Sequence, residues 1–341
     1  MTMVDRRLIA AAAMSVYAAG ALPSFAQSPE VFYQGRTVSI IVGSSAGGGY
    51  DLNARLVAEH IAKYIPGHPT VIVQNMPGAG GLRMAGYMYT AAPKDGSVFA
   101  ILQRNLTVEP LFSKQAYDAT RFTWLGSISS DVSLCISAKT SKVATFADLK
   151  TQPFTAAGQP PGSDSYVFAA LLKNLFGAHI KIVTGYPGTS DMVLAMERGE
   201  VDGLCGISYS TLRSRFARLL KDDSIRILVQ AAVEREPVLS DVPSMAELAA
   251  NEQDRAIIKL LVGTQRMARP FMAPPDIPGD RKDALRQAFE RTMSDPAFVA
   301  DAKKQEIDVA PMTGAAIDRL LRDLYAAPKD VAAKAAIAMA Q

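Results

Sequence analysis

From residue 38 onward, short apolar runs, glycine-rich turns and helix-patterned segments follow one another in a repeating order, and that alternation leaves few folds open. Val38-Ser39-Ile40-Ile41-Val42 is strand-like, and Leu52, Leu56, Val57, Ile61 and Tyr64 then recur at helical spacing until Pro66-Gly67 stops the helix. Residues 70–74 predict a second strand and residues 82–90 a helix, after which Pro93-Lys94-Asp95-Gly96 turns into a strand over 97–103. This order predicts a parallel sheet wrapped by helices. A second series begins near Ser133, with strands expected at 133–137, 154–157, 180–183, 201–208 and 226–232. Helices are expected over 166–176 and ending at Gly199. Two α/β units in succession imply a cleft between them.

Ligands of open α/β sheets collect at the carboxyl ends of strands, where loops feed helix N-termini. Four loops fall there. After Val42 comes Gly43-Ser44-Ser45-Ala46-Gly47-Gly48-Gly49-Tyr50-Asp51, and after Gln74 comes Asn75-Met76-Pro77-Gly78-Ala79-Gly80-Gly81. In the second unit, Gly158-Gln159-Pro160-Pro161-Gly162-Ser163 and Gly185-Tyr186-Pro187-Gly188-Thr189 each precede a helix. Backbone amides with no side chains in front of them can converge on a small anion. Glycine-rich turns also exist for tight geometry alone, and Asp51 and Asp191 read as helix caps.

Arg6-Arg7, the Ala-rich stretch from Leu8 to about Leu22 and Ser24-Phe25-Ala26 read as an export signal cleaved after Ala26. The apolar stretch is shorter than the roughly 20 residues that cross a bilayer. The mature chain is expected in the periplasm. About 315 residues remain (341 less 26), enough for two domains. Removing one negative and two positive charges takes the formal charge from +3 to +2, and no basic run stands out, so nucleic acid is not an expected partner. Cys135 and Cys205 sit in β-type runs, where an oxidising compartment would permit a bridge and a reduced pair would be two buried thiols in neighbouring strands.

Gly43-Ser44-Ser45-Ala46-Gly47 matches the Gly-x-Ser-x-Gly nucleophile elbow, so a secreted serine hydrolase acting through Ser45 is the rival reading. It would stand only 17 residues past the cleavage site (43 less 26), and none of His60, His68 and His179 falls in a late loop. No Gly-Lys-Ser/Thr follows the first loop, position 52 breaks the Gly-x-Gly-x-x-Gly spacing, and the His and Cys residues have no metal-binding spacing. No cofactor is expected.

Ala46 to Asp51, Asn75 to Gly81, Ala92-Pro93-Lys94-Asp95-Gly96, Gly185 to Thr189, Val233-Glu234-Arg235-Glu236-Pro237 and Asp241-Val242-Pro243-Ser244 occur in an order that resembles one family. It is the exported solute-binding proteins of tripartite tricarboxylate transporters, the Bordetella uptake gene or Bug family. The resemblance spans essentially the whole mature chain. It implies a non-enzymatic, two-lobed, Venus-flytrap clamshell of the type II periplasmic-binding-protein kind, each lobe a mostly parallel sheet flanked by helices. A small carboxylate would be gripped mainly by backbone amides, and large and small membrane subunits would be the partners of a monomeric receptor.

Carried over by position, the first-lobe contacts are Ser44, Ser45, Ala46, Gly47 and Gly48, supported by Asn75 and Gly78. The second-lobe contacts are Gly158, Gly162, Ser163, Tyr186, Gly188 and Thr189, with Asp202 near the hinge-side wall. The chain departs from the family at Gly43-Ser44-Ser45, where an aromatic wall is replaced by hydroxyls, and at Gln103-Arg104-Asn105. Arg104 can reach the cleft mouth and pair with a carboxylate, or it can brace the hinge. The expected division is 27–128 plus about 233–280 for lobe 1, 129–232 for lobe 2, and 281–341 as C-terminal helices packing on or across both, with the boundary near Thr123–Ser129, a return crossing near Val229–Glu234 and an Ala-rich end over 332–341 expected to fray.

Overall fold

The computed structural model describes residues 27–340, so the export signal expected over 1–26 lies outside the described residues. The chain begins with α1 (Pro29–Tyr33), β1 (Thr37–Val42), α2 (Gly49–Ile61), β2 (Thr70–Asn75), α3 (Leu82–Thr90), β3 (Val98–Ile101) and β4 (Thr123–Ser127). It then crosses to β5 (Ser133–Ala138), β6 (Phe154–Gly158), α4 (Asp164–Phe176), β7 (Ile180–Thr184), α5 (Thr189–Glu197), β8 (Gly203–Ser208), α6 (Tyr209–Ser214), α7 (Ala217–Lys221) and β9 (Ile225–Ala231). The remainder holds α8 (Glu252–Val262), β10 (Pro270–Ala273), α9 (Gly279–Met293), α10 (Pro296–Lys304), β11 (Met312–Thr313), α11 (Gly314–Tyr325) and α12 (Lys329–Met339).

Two sheets result, ordered β11-β4-β10-β3-β1-β2 and β7-β6-β8-β5-β9. In the first, β1 is parallel to β2 and β3, while β10 is antiparallel to β3 and β4 and β11 is antiparallel to β4. In the second, β6 is parallel to β7 and β8, and β5 is antiparallel to β8 and β9, so β5 alone is reversed. Each lobe is thus a mixed sheet with most strands running one way. Val38, Ile40, Ile41 and Val42 of β1 are all buried, as a strand paired on both sides and covered on both faces requires. Cys135 of β5 is disulfide-bonded to Cys205 of the neighbouring β8.

The stretch 123–129, where the sequence placed a lobe boundary, contains β4, held between β10 and β11 in the first sheet. The crossing follows it at 128–132. A return near Val229–Glu234 does not match the packing either. Met245, Ala246 and the α8 residues Ile257, Ile258, Leu260 and Leu261 join Phe154, Phe168 and Leu171 in the core of the second sheet. The apolar face of α8 has its complement there, and the chain comes back through 263–269. That segment runs beside the outward crossing: the Asp131 N–H donates to the Gln265 carbonyl (3.2 Å) and the Ala268 N–H to the Ser129 carbonyl (2.9 Å). The chain crosses a third time between α11, whose Ile317 and Leu321 pack in the first lobe, and α12, whose Val331, Ala335 and Ala338 pack in the second. Among the described residues no helix is long and apolar enough to cross a membrane.

Candidate functional site

Between the lobes lies a cavity of ≈ 70 Å³. Its first-lobe wall comes from Ser44, Ser45, Ala46, Gly48, Gly49 and Tyr50, with Gln103 and Arg269. Its second-lobe wall comes from Gln159, Asp164 and Ser165, from the start of α5 at Gly188, Thr189, Ser190, Asp191 and Met192, and from Gly206, Ser208 and Thr211.

Two helices begin at this cavity with glycine in the N-cap position and no side-chain cap: α2 after Gly48 and α5 after Gly188. Side chains cap α4, α8, α10 and α11, from Ser163, Asn251, Asp295 and Thr313, whereas α3, α6, α7, α9 and α12 share the lack of a side-chain cap with α2 and α5. A capping oxygen satisfies one of the first-turn N–H groups of a helix. Where the cap residue has no side chain, those groups and the positive end of the helix dipole remain open to an anion.

The first loop is held in shape from behind. Asp51 is buried and accepts from the Gly47 N–H (2.8 Å), from Asn75 Nδ2 (2.9 Å) and from Arg55 Nε and Nη2 (2.9 and 3.0 Å). Burial works against its charge, yet the Arg55 guanidinium, the Gly47 amide and Asn75 together hold its carboxyl below the usual carboxylate range. Asn75 Nδ2 also donates to the Ser44 carbonyl (2.9 Å), tying the loop to the end of β2. Close approach of β8 fixes α4 similarly. Gly206 has φ +78°, and a Cβ there would stand 2.5 Å from the Asp164 carbonyl carbon and the Ser165 nitrogen.

Two buried arginines reach from the first lobe into the second. Arg104, just after β3, donates from Nε to Asp164 Oδ2 (3.0 Å), from Nη2 to Ser133 Oγ (2.5 Å) and from Nη1 to the Asp131 carbonyl (3.4 Å). Arg269, just before β10, donates from Nη2 to Ser208 Oγ (3.0 Å), Thr211 Oγ1 (3.3 Å) and Asp131 Oδ2 (3.4 Å), and its guanidinium lies 4.8 Å from the centre of the Tyr50 ring. Arg269 Nε has no partner.

Of the residues singled out from the sequence, Ser44, Ser45, Ala46, Gly48, Gly188 and Thr189 line this cavity. Gly47, Asn75, Gly78, Arg104, Gly158, Gly162, Ser163, Tyr186 and Asp202 do not. The Gly47 amide and Asn75 serve the loop brace, and Ser163 caps α4 while Asn105 Nδ2 donates to the Gly162 carbonyl. Gly78 and Tyr186 line a separate hollow of ≈ 250 Å³ that shares Ser44 and Gln159 with the cavity. Asp202 accepts from the Thr155 N–H (2.7 Å) and hydroxyl (2.6 Å), within its own lobe. The wall residues that sequence reasoning did not name as contacts include Asp164, Gly206, Ser208, Thr211 and Arg269. The hydroxyl of Ser45 is given to the Pro187 carbonyl (3.3 Å), and no histidine lines the cavity; His60 bonds Asp301 (3.1 Å). Among the described residues no group of three or more His, Cys, Asp and Glu could hold a metal ion.

The lobes touch across the cleft. A Cβ at Gly188 would stand 2.9 Å from Ser45 Oγ, and one at Gly47 would stand 3.2 Å from Arg215 Nη2 of the other lobe. At Gly49 it would meet Thr211 Oγ1 at 2.6 Å. Gly49 is already helical, so Gly49→Ala suits the helix; its Cβ obstructs chiefly Thr211 of the second lobe and comes within 3.3 Å of Arg269 Nη2. We expect Gly49→Ala to weaken any ligand held by both lobes at least tenfold while its ligand-free melting temperature stays at or above that of the parent. Unchanged affinity in calorimetry would show that the lobes need not meet here.

Two lobes joined by adjacent crossings, with helix N-termini facing a shared cavity, define the class of periplasmic binding proteins. The chain belongs to the tripartite tricarboxylate transporter family receptors, whose family model matches residues 53–336. It is similar to the UPF0065 protein in the TAR-I ttuE-ttuC' intergenic region of Agrobacterium vitis, 27% identical over 296 residues that cover 82% of this chain and 77% of that one. Among solved structures, the periplasmic binding protein BugD superposes with a TM-score of 0.70 at 21% identity, over 89% of this chain and 98% of that one. MatC from Rhodopseudomonas palustris with bound malate gives a TM-score of 0.67 at 22% identity, over 87% and 99%.

Proposed function

We propose that this chain is an exported receptor, cleaved after Ala26, that captures a small carboxylate between its lobes. It would deliver that ligand as a monomer to the large and small membrane subunits of a tripartite tricarboxylate-type transporter. The observation that carries the reading is the pair of helices, α2 and α5, that start uncapped on opposite walls of one cavity. Arg269 adds a guanidinium whose Nε is without a partner at the same wall. Family membership and the malate-bound MatC, which shares the fold, are in keeping with it.

The magnitudes agree. Hydrogen bonds to a charged acceptor contribute about 1.5–3 kcal/mol net each, so four to six reach the roughly 8 kcal/mol of a micromolar site after ordering costs. Closing the lobes removes water from the carboxylate and strengthens those bonds. The test is a thermal-shift screen of mono-, di- and tricarboxylates on the mature protein. A ligand at a hundred times its Kd stabilises by about 2.7 kcal/mol. We expect at least one such acid, and Arg269→Met should weaken it tenfold or more. If no carboxylate stabilises the protein, the reading is wrong.

A further inference from the structure

Three polar atoms on residues of the cavity wall are buried without a hydrogen-bond partner: Ser44 Oγ, Arg269 Nε and Asp164 Oδ1. Two of them suit a carboxylate, since Nε donates and the hydroxyl can. The third does not. Asp164 Oδ1 is an acceptor, and its partner atom Oδ2 is already occupied by Arg104 Nε (3.0 Å). An acceptor left unpaired in a closed site has lost its hydration without compensation, a cost that a ligand donor placed against it would remove.

Charge leads the same way. Arg104 pairs with Asp164 and Arg269 with Asp131, so the four charges around the cavity cancel before any ligand enters. Asp191, at the α5 wall, adds a further negative group. A dicarboxylate would therefore bring two negative charges beside Asp164, offset by helix ends, the Arg269 Nε and, behind the loop at Gly47, the Arg215 guanidinium. A zwitterion brings its own cation.

Resting on the receptor reading above, we infer that the ligand is a 2-amino acid. Its carboxylate meets the open amides of α2 and α5 and Arg269 Nε, and its ammonium donates to Asp164 Oδ1. Asp164 is then the residue that separates amino acids from plain carboxylates of the same length. Arg104, behind it, is a positioning residue that holds the carboxylate in the orientation that leaves Oδ1 facing the ligand.

The experiment is calorimetric titration of the mature protein with matched pairs: L-alanine and propionate, L-aspartate and succinate, L-glutamate and glutarate, L-leucine and 4-methylpentanoate. We expect the amino member of the binding pair to bind at least tenfold more tightly than its deamino partner. Asp164→Asn, which leaves the ammonium without a carboxylate partner and removes a negative charge from the wall, should lose at least tenfold in affinity for that amino acid and lose none, or gain, for the deamino acid. If the deamino partners bind as well or better, or if malate is preferred over succinate while no amino acid is preferred, the inference is overturned and the receptor reading stands. If no carboxylate of either kind binds, both fall together. The comparison within the unmodified protein needs no variant to fold.

Discussion

Arg104→Met is expected to destabilise the protein by about 3 kcal/mol, at the lower end of the range for breaking a buried ion pair from one side. Arg104 is fully buried and its partner Asp164 is 13% exposed, so the carboxylate left behind keeps some contact with water and the loss falls below the maximum. The Asp131 carbonyl and Ser133 hydroxyl lose their donor in the same step. The measurement is a urea unfolding midpoint. A second variant, Arg104→Met with Asp164→Leu, should recover most of the loss, because no uncompensated charge remains. A loss below about 1 kcal/mol in the single variant would mean that the pair is solvated in solution and that the lobes stand apart without ligand.

Removing the Cys135–Cys205 bridge is expected to cost about 4 kcal/mol, the chain-entropy value for a closed loop of this size; the two residues are 70 apart in sequence. Both sulfurs are buried, at 2% and 0% residue exposure, so a mild reductant reaches them only through opening of the second sheet. The native protein should therefore keep the bridge in dithiothreitol at low temperature and lose it on partial unfolding. The Cys135→Ser, Cys205→Ser variant should show the full drop in denaturant midpoint with or without reductant. A shift under 1 kcal/mol in that variant would show that β5 and β8 hold their register without the covalent tie, despite the irregularity in their pairing between Leu134 and Ile136.

The alternation that exposes β1, α2, β2, α3 and β3 in the sequence is legible because each strand is a near-continuous apolar run with Gly or Pro close to at least one end, and each helix carries its apolar residues on one face. β4 was hidden. Thr123-Trp124-Leu125-Gly126-Ser127 is short, contains a glycine and lies where the chain must leave the first lobe, so it reads as a crossing. α12 looked like a fraying tail because alanine gives little periodic contrast, yet Ala335 and Ala338 are small enough to let it lie close against the second lobe. Asn174 Nδ2 donates to the Ala338 and Ala340 carbonyls (3.0 and 2.7 Å) and fixes its end.

At the site, the loops were legible and the side chains behind them were not. The missing side chains at Gly48 and Gly188 signal exposed amides directly. Arg269 belongs to no motif: between Ala268 and Pro270 it is one arginine among many. Its place in the wall arises from the meeting of the return crossing with Asp131, Ser208 and Thr211, residues that only the three-dimensional fold brings together. Gly47 and Asn75 failed in the opposite direction, because a buried Asp51 claims the very groups that the loop pattern seemed to offer outward.

Three covalent connections join the halves, at 128–132, 263–269 and between α11 and α12, and the first two are laced to each other by main-chain bonds. A single strap would let the halves swivel freely. With three, torsion about the long axis strains at least one connection, and the gentlest remaining motion is a bend, like a book opening at its spine. The rims at Ser45 and Pro187, which meet across the cleft, then travel farthest when the halves part, so the outline of the molecule changes most at the mouth of the cavity.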